Sequence, residues 1–113
     1  MTLDEQLFES LAGNFLARVT AAVEDASDDI DVDLQGGVLT IELEDGRTFV
    51  LNKHAPMRQM WLSSPLSGAS HYNYDDASRL WVSTRDTREL ASTLIDDFAQ
   101  AGFQVTLASS EAQ

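Results

Sequence analysis

Six carboxylates occupy ten consecutive positions of this chain: Glu24, Asp25, Asp28, Asp29, Asp31 and Asp33. Oxygen donors at that density attract hard cations or a basic protein surface. The spacing Asp29-x-Asp31-x-Asp33 is that of the start of an EF-hand loop. However, the sixth position is Leu34 where the sharp turn needs glycine, and the twelfth is Thr40 where a bidentate glutamate belongs. The two histidines, His54 and His71, read as surface or loop residues, with nothing to bring them together or beside a serine nucleophile. There is no Gly-rich phosphate loop and no His-Glu-x-x-His. With no cysteine, the chain has no disulfide, thiolate metal site or cysteine-held iron–sulfur cluster. Acid/base catalysis by paired carboxylates needs a water-poor cleft, and a solvated acidic run is a poor place for one.

Charge sharpens this reading. Nineteen acids against seven bases give −12, unevenly: residues 1–33 hold nine acids and one base, Arg18, whereas residues 34–113 hold ten acids and six bases. Phosphate binding needs a basic face, so nucleic acid is not an expected partner. Cations or a basic protein are. At 113 residues and 43% hydrophobic the chain should fold as one domain, residues 1–113. Its N-terminus carries no leader pattern and no apolar run reaches membrane-span length, so the expected site is the cytoplasm with no membrane partner.

The elements that must position the acids follow from periodicity. Leu7, Phe8, Leu11, Phe15, Val19 and Val23 make one helical stripe over about residues 3–25, capped by Thr2 or Asp4. A second helix is expected over about 87–101. Asp86 and Glu89 form its capping box, Leu90, Leu94 and Phe98 its stripe, and Gly102 its C-terminal stop. Between them the period drops to two. Ile30, Val32 and Leu34 pair across Gly36-Gly37 with Leu43, Ile41 and Leu39. A three-residue Glu44-Asp45-Gly46 loop, with Gly46 left-handed, keeps Phe49 opposite Ile41 and Leu51 opposite Leu39. Further strands are expected at about 58–63, 69–74 and 79–83, and Phe103, Val105 and Leu107 as an extended segment on the helices. The result is an α+β two-layer sandwich, two helices on one face of an antiparallel sheet of five to six strands, leaving the other face open.

On that open face Asp31 stands opposite Glu42 with Asp33 diagonal to it, and Asp29 lies near Glu44 at the edge. Helix ends disfavour acid at the C-terminus, and like charges opposed on a sheet repel. In Gln59-Met-Trp-Leu-Ser63, parity sends Met60 and Leu62 inward and Gln59 and Trp61 outward, which makes Trp61 a candidate partner anchor. Trp81, flanked by Leu80 and Val82, reads as core.

At this point the chain resembles a known family. The segments Gly37-Val-Leu-Thr-Ile41, Asn52-Lys-x-x-Pro56, Gln59-x-Trp-Leu-Ser-Ser-Pro-x-Ser-Gly68 and Leu80-Trp-Val82 are similar to frataxins, in order across nearly the whole chain, and specifically to the bacterial CyaY branch. The resemblance implies an iron-binding protein of iron–sulfur cluster assembly. It implies a bacterial, iron-dependent regulator of the cysteine desulfurase and its scaffold protein, with iron donation as a further option. Ferrous and ferric iron would be held weakly and exchangeably on Glu24, Asp25, Asp28, Asp29, Asp31 and Asp33, with Glu42 and Glu44 beside them. Other divalent cations would compete. Asn52, Gln59 and Trp61 would face the partner, and the expected state is a monomer with iron-induced oligomers. Relatives often carry acids one turn earlier, where this chain has Thr20 and Ala21, which lowers the expected iron capacity. Two alternatives stay open: an acidic adaptor with incidental metal binding, and a ferroxidase or iron store. The second lacks an evident Glu-x-x-His di-iron pattern, so no enzyme is expected.

Overall fold

A computed structural model describes residues 4–107 of the chain. Helix α1 (Glu5–Ala26) is followed by six strands, β1 (Asp31–Gln35), β2 (Val38–Glu42), β3 (Thr48–His54), β4 (Gln59–Ser64), β5 (Gly68–Asp75) and β6 (Leu80–Ser83), and then by helix α2 (Leu90–Ala101). The strands form one antiparallel sheet in sequential order, β1 to β6. Both helices supply buried residues to a single core against one sheet face. The sandwich expected from periodicity is the fold observed.

The first hairpin obeys the alternation of its residues. Val32 pairs with Ile41 and Leu34 with Leu39, and Gly36 and Gly37 both take positive φ, which a two-residue turn between right-twisted strands requires. The second hairpin has the three-residue loop: Leu43 N–H bonds Arg47 C=O at 2.8 Å, Gly46 sits at φ 91°, and Ile41 meets Phe49 while Leu39 meets Leu51. Phe103, Val105 and Leu107 pack on the core without forming a strand, with Phe103 stacked on Phe98.

Several local expectations are corrected. Asp4, one of the two caps expected for α1, caps it, its carboxylate accepting from Leu7 N–H at 2.8 Å, while Thr2 lies outside the described residues. Leu7 is left exposed, while Ala12 and Leu16 complete the buried stripe. Helix α2 begins three residues later than expected. Glu89 is itself the cap, accepting from Ala91 and Ser92 N–H, while Asp86 closes a local turn onto Arg88 N–H. Leu34 lies on the core parity but is exposed, because β1 is the sheet edge and the core ends beneath its neighbour.

The Asn52-Lys53 and Ser64-to-Gly68 segments carry structural work that residue types alone did not reveal. Lys53 forms an ion pair with Glu9, tying β3 to α1. Its stem passes so close to Gly37 that a Cβ there would overlap Lys53 Cε. Asp97, buried on α2, accepts from Ser64 Oγ at 2.8 Å and Ser67 Oγ at 2.6 Å, while Ser64 Oγ accepts from Leu66 and Ser67 N–H. That network fixes the β4–β5 turn to the helix layer. A buried carboxylate is tolerated because hydroxyl donors satisfy it.

Candidate functional site

The acidic residues run along one edge of the molecule. Glu24 and Asp25 occupy the last turn of α1, where no base offsets the helix dipole. Asp28 and Asp29 follow in the connection, and Asp31 and Asp33 project from β1 on the parity opposite Val32, which packs on the core. Asp31 stands directly opposite Glu42, and Asp33 opposite Thr40, hence diagonal to Glu42. Asp29, Glu44 and Asp45 line one open groove of 340 Å³ with Ile30, Leu43 and Arg47. All eight carboxylates named from the sequence, Glu24, Asp25, Asp28, Asp29, Asp31, Asp33, Glu42 and Glu44, are exposed. Among the described residues no three Asp, Glu, His or Cys side chains gather tightly enough to cage a metal ion.

Arg47 lines the same groove, and it is engaged. Its backbone N–H bonds the Asp45 carboxylate at 3.0 Å and its Nε does so at 2.8 Å. The backbone bond, foremost, and then the guanidinium hold the Asp45 carboxyl below the usual carboxylate range.

The open sheet face carries the second cluster. Asn52, Trp61 and His71 stand in one cross-strand row, and His54, Gln59 and Asn73 in the next. The Trp61 indole is sandwiched between both histidines. Its ring lies 3.8 Å from that of His54 at 6° and 4.3 Å from that of His71 at 9°. Its Nε1–H donates to Gln59 Oε1 at 2.9 Å, and Gln59 Nε2 donates to Asn73 Oδ1 at 3.1 Å. Trp61 faces outward and is half-buried, as parity requires, while Met60 and Leu62 are buried. Two expectations change. Gln59, taken as an exposed polar neighbour, is buried beneath the stack. The histidines, read as unrelated, are brought together by β3 and β5 flanking β4. The available signal was register: pairing Trp61 with Asn52 leaves His54 one residue pair along on the same face. Trp81 is core, 1% exposed, in edge contacts with Phe8 and Tyr74.

The fold and these two surfaces define a class: an α+β sandwich with an exposed carboxylate edge continuous with an aromatic sheet face. The chain matches the frataxin-like domain over residues 1–103 and belongs to the frataxin family, in its CyaY-type branch. It is similar to the mitochondrial frataxin homolog of Schizosaccharomyces pombe, 43% identical over 64% of this chain and 46% of that one, so it spans about half the length of that relative. It is 38% identical to the iron-sulfur cluster assembly protein CyaY of Pseudomonas aeruginosa over 70% of this chain and 72% of that one. Among solved structures, frataxin from Psychromonas ingrahamii superposes with a TM-score of 0.82 at 26% identity, covering 95% of this chain and 100% of that one. Trimeric frataxin from Saccharomyces cerevisiae in its ferrous complex gives 0.66 at 32% identity, covering 89% and 88%. No helix among the described residues is long and apolar enough to cross a membrane.

Proposed function

We propose that this protein binds iron for iron–sulfur cluster assembly, holding it on the carboxylate edge and docking by the open sheet face on the cysteine desulfurase and its scaffold. The observation that carries the reading is the continuity of the two surfaces. Asp31, Asp33 and Glu42 project from the sheet face that also bears Asn52 and Trp61. One partner surface can therefore meet the metal-bearing edge and the indole together. A role in cluster assembly is supported by the CyaY relatives, and iron as cargo by the ferrous complex of the yeast frataxin.

The chemistry of the edge sets the mode of binding. Ferrous and ferric ions favour oxygen donors, and exposed carboxylates in twos, completed by water, bind them weakly and release them readily. Glu24, Asp25, Asp28, Asp29, Asp31, Asp33, Glu42 and Glu44 are the donors. With no histidine or thiolate to discriminate, manganese and calcium compete. Titration with manganese, followed by NMR, should broaden residues 24–33 and 42–44 first. Broadening centred on His54 and His71 would place the metal on the aromatic face and refute the assignment. A second reading, an acidic adaptor whose metal binding is incidental, draws on the lack of three converging ligands among the described residues. Desulfurase affinity that does not change with iron would favour it.

A further inference from the structure

We propose that His54 and His71 are positioning residues of the partner face. They clamp the Trp61 indole in one orientation so that a basic protein surface meets its ring edge and the outer imidazole faces. This rests on the partner-face reading and specifies how that face works. Both faces of the indole are covered by near-parallel imidazoles from the flanking strands, and its N–H is fixed by Gln59, which Asn73 holds in turn. The ring has no free π-face to offer and little rotamer freedom to lose.

The arrangement has a cost to stability. His54 Nδ1 is buried and makes no hydrogen bond among the described residues, and a buried polar atom left unpaired is destabilising. The stack also lies on the open sheet face instead of in the core, and His71 at its end is exposed. Local packing that departs from good polar satisfaction on an exposed face marks a position retained for use. The occupant is a protein of basic surface, because the same face bears Asp31, Asp33 and Glu42 and the whole chain carries −12.

The benefit is preorganisation. Ordering a mobile side chain on binding lowers affinity by about 2- to 12-fold, and a clamped indole avoids that loss. His54→Ala and His71→Ala should therefore each weaken binding to the cysteine desulfurase by about 2- to 12-fold. Each should also increase the mobility of the Trp61 indole N–H in nitrogen-15 relaxation. His54→Phe and His71→Phe, which restore a stacking plane, should recover both affinity and indole order. The phenylalanine variants also keep the test open if an alanine variant does not fold. If Trp61→Ala weakens binding strongly while the alanine variants at 54 and 71 bind as wild type, the positioning role is overturned and the partner face stands. The role is equally overturned if the phenylalanine variants stay weak with an ordered indole, since the imidazoles would then contact the partner themselves. Binding by Trp61→Ala equal to wild type would overturn the partner-face reading itself.

Discussion

Replacing Asp31 and Asp33 together by asparagine should make the metal-free protein more stable. Asp31 faces Glu42 directly across the first hairpin and Asp33 faces it diagonally, all three exposed on one sheet face. Opposed like charges on a sheet cost about 0.2–1 kcal/mol per pair. One direct and one diagonal pair give a gain of about 1 kcal/mol, or a rise in Tm of about 3–6 °C for a domain of this size. Asparagine keeps an oxygen where Asp33 Oδ1 accepts from the Gln35 amide, so little bonding is lost to offset the gain. The diagnostic is salt. The advantage should be largest at low ionic strength and should vanish near 1 M, where the Debye length falls to about 3 Å. Wild type should recover the same stability on adding divalent cations, since a cation held by the folded edge would stabilise it by mass action, while the double variant should respond much less. Thermal melts at several salt and manganese concentrations read all of this. A double variant that melts below wild type, or an advantage that does not change with salt, would refute the repulsion argument.

Trp61→Ala should cost about 2 kcal/mol in urea melts, since two stacked ring contacts of about 0.5–1.5 kcal/mol each are lost from a half-buried site. Trp81→Ala, from a fully buried site, should cost about 3–5 kcal/mol; equal losses would show that Trp61 is part of the core. Asp97→Ala removes the acceptor of two serine hydroxyls and should destabilise by about 3 kcal/mol, with faster amide exchange at Leu66 and Ser67. Unchanged exchange there would mean that the carboxylate does not hold the turn. Asp45→Ala should be less stable than wild type at neutral pH. The Asp45 carboxyl titrates below its ordinary 3.8 when folded, so its contribution is present above that value and is lost as pH falls through the folded value. A gap between the two proteins that persists unchanged into strong acid would contradict this.

The sandwich was legible because its elements are periodic and its turns are chemically marked. Leu34 and Leu39 around Gly36-Gly37 set one register, Gly46 set the next, and together they place Asp31 against Glu42. The carboxylate edge was legible for the same reason, since parity alone puts Asp31 and Asp33 opposite Val32. Leu34 escaped because period-two alternation reports which face a residue points to and not how far the core extends beneath an edge strand. The Trp61 stack escaped because it depends on two strand pairings at once and on the turn at Ala55–Met57 that sets His54 opposite Gln59. Asp97 escaped because a carboxylate in a helix reads as solvent-facing unless its serine partners, some 30 residues away, are known to meet it.

Iron-coupled docking is tested most directly by the turnover of the cysteine desulfurase, measured on its scaffold complex with and without this protein across a range of ferrous iron. An edge that carries iron, on a face that docks, predicts a change in turnover that depends on iron concentration. The iron dependence should be lost in the Asp31→Asn/Asp33→Asn variant, and the whole effect in Trp61→Ala. Turnover that is the same with and without the protein at every iron concentration would contradict it.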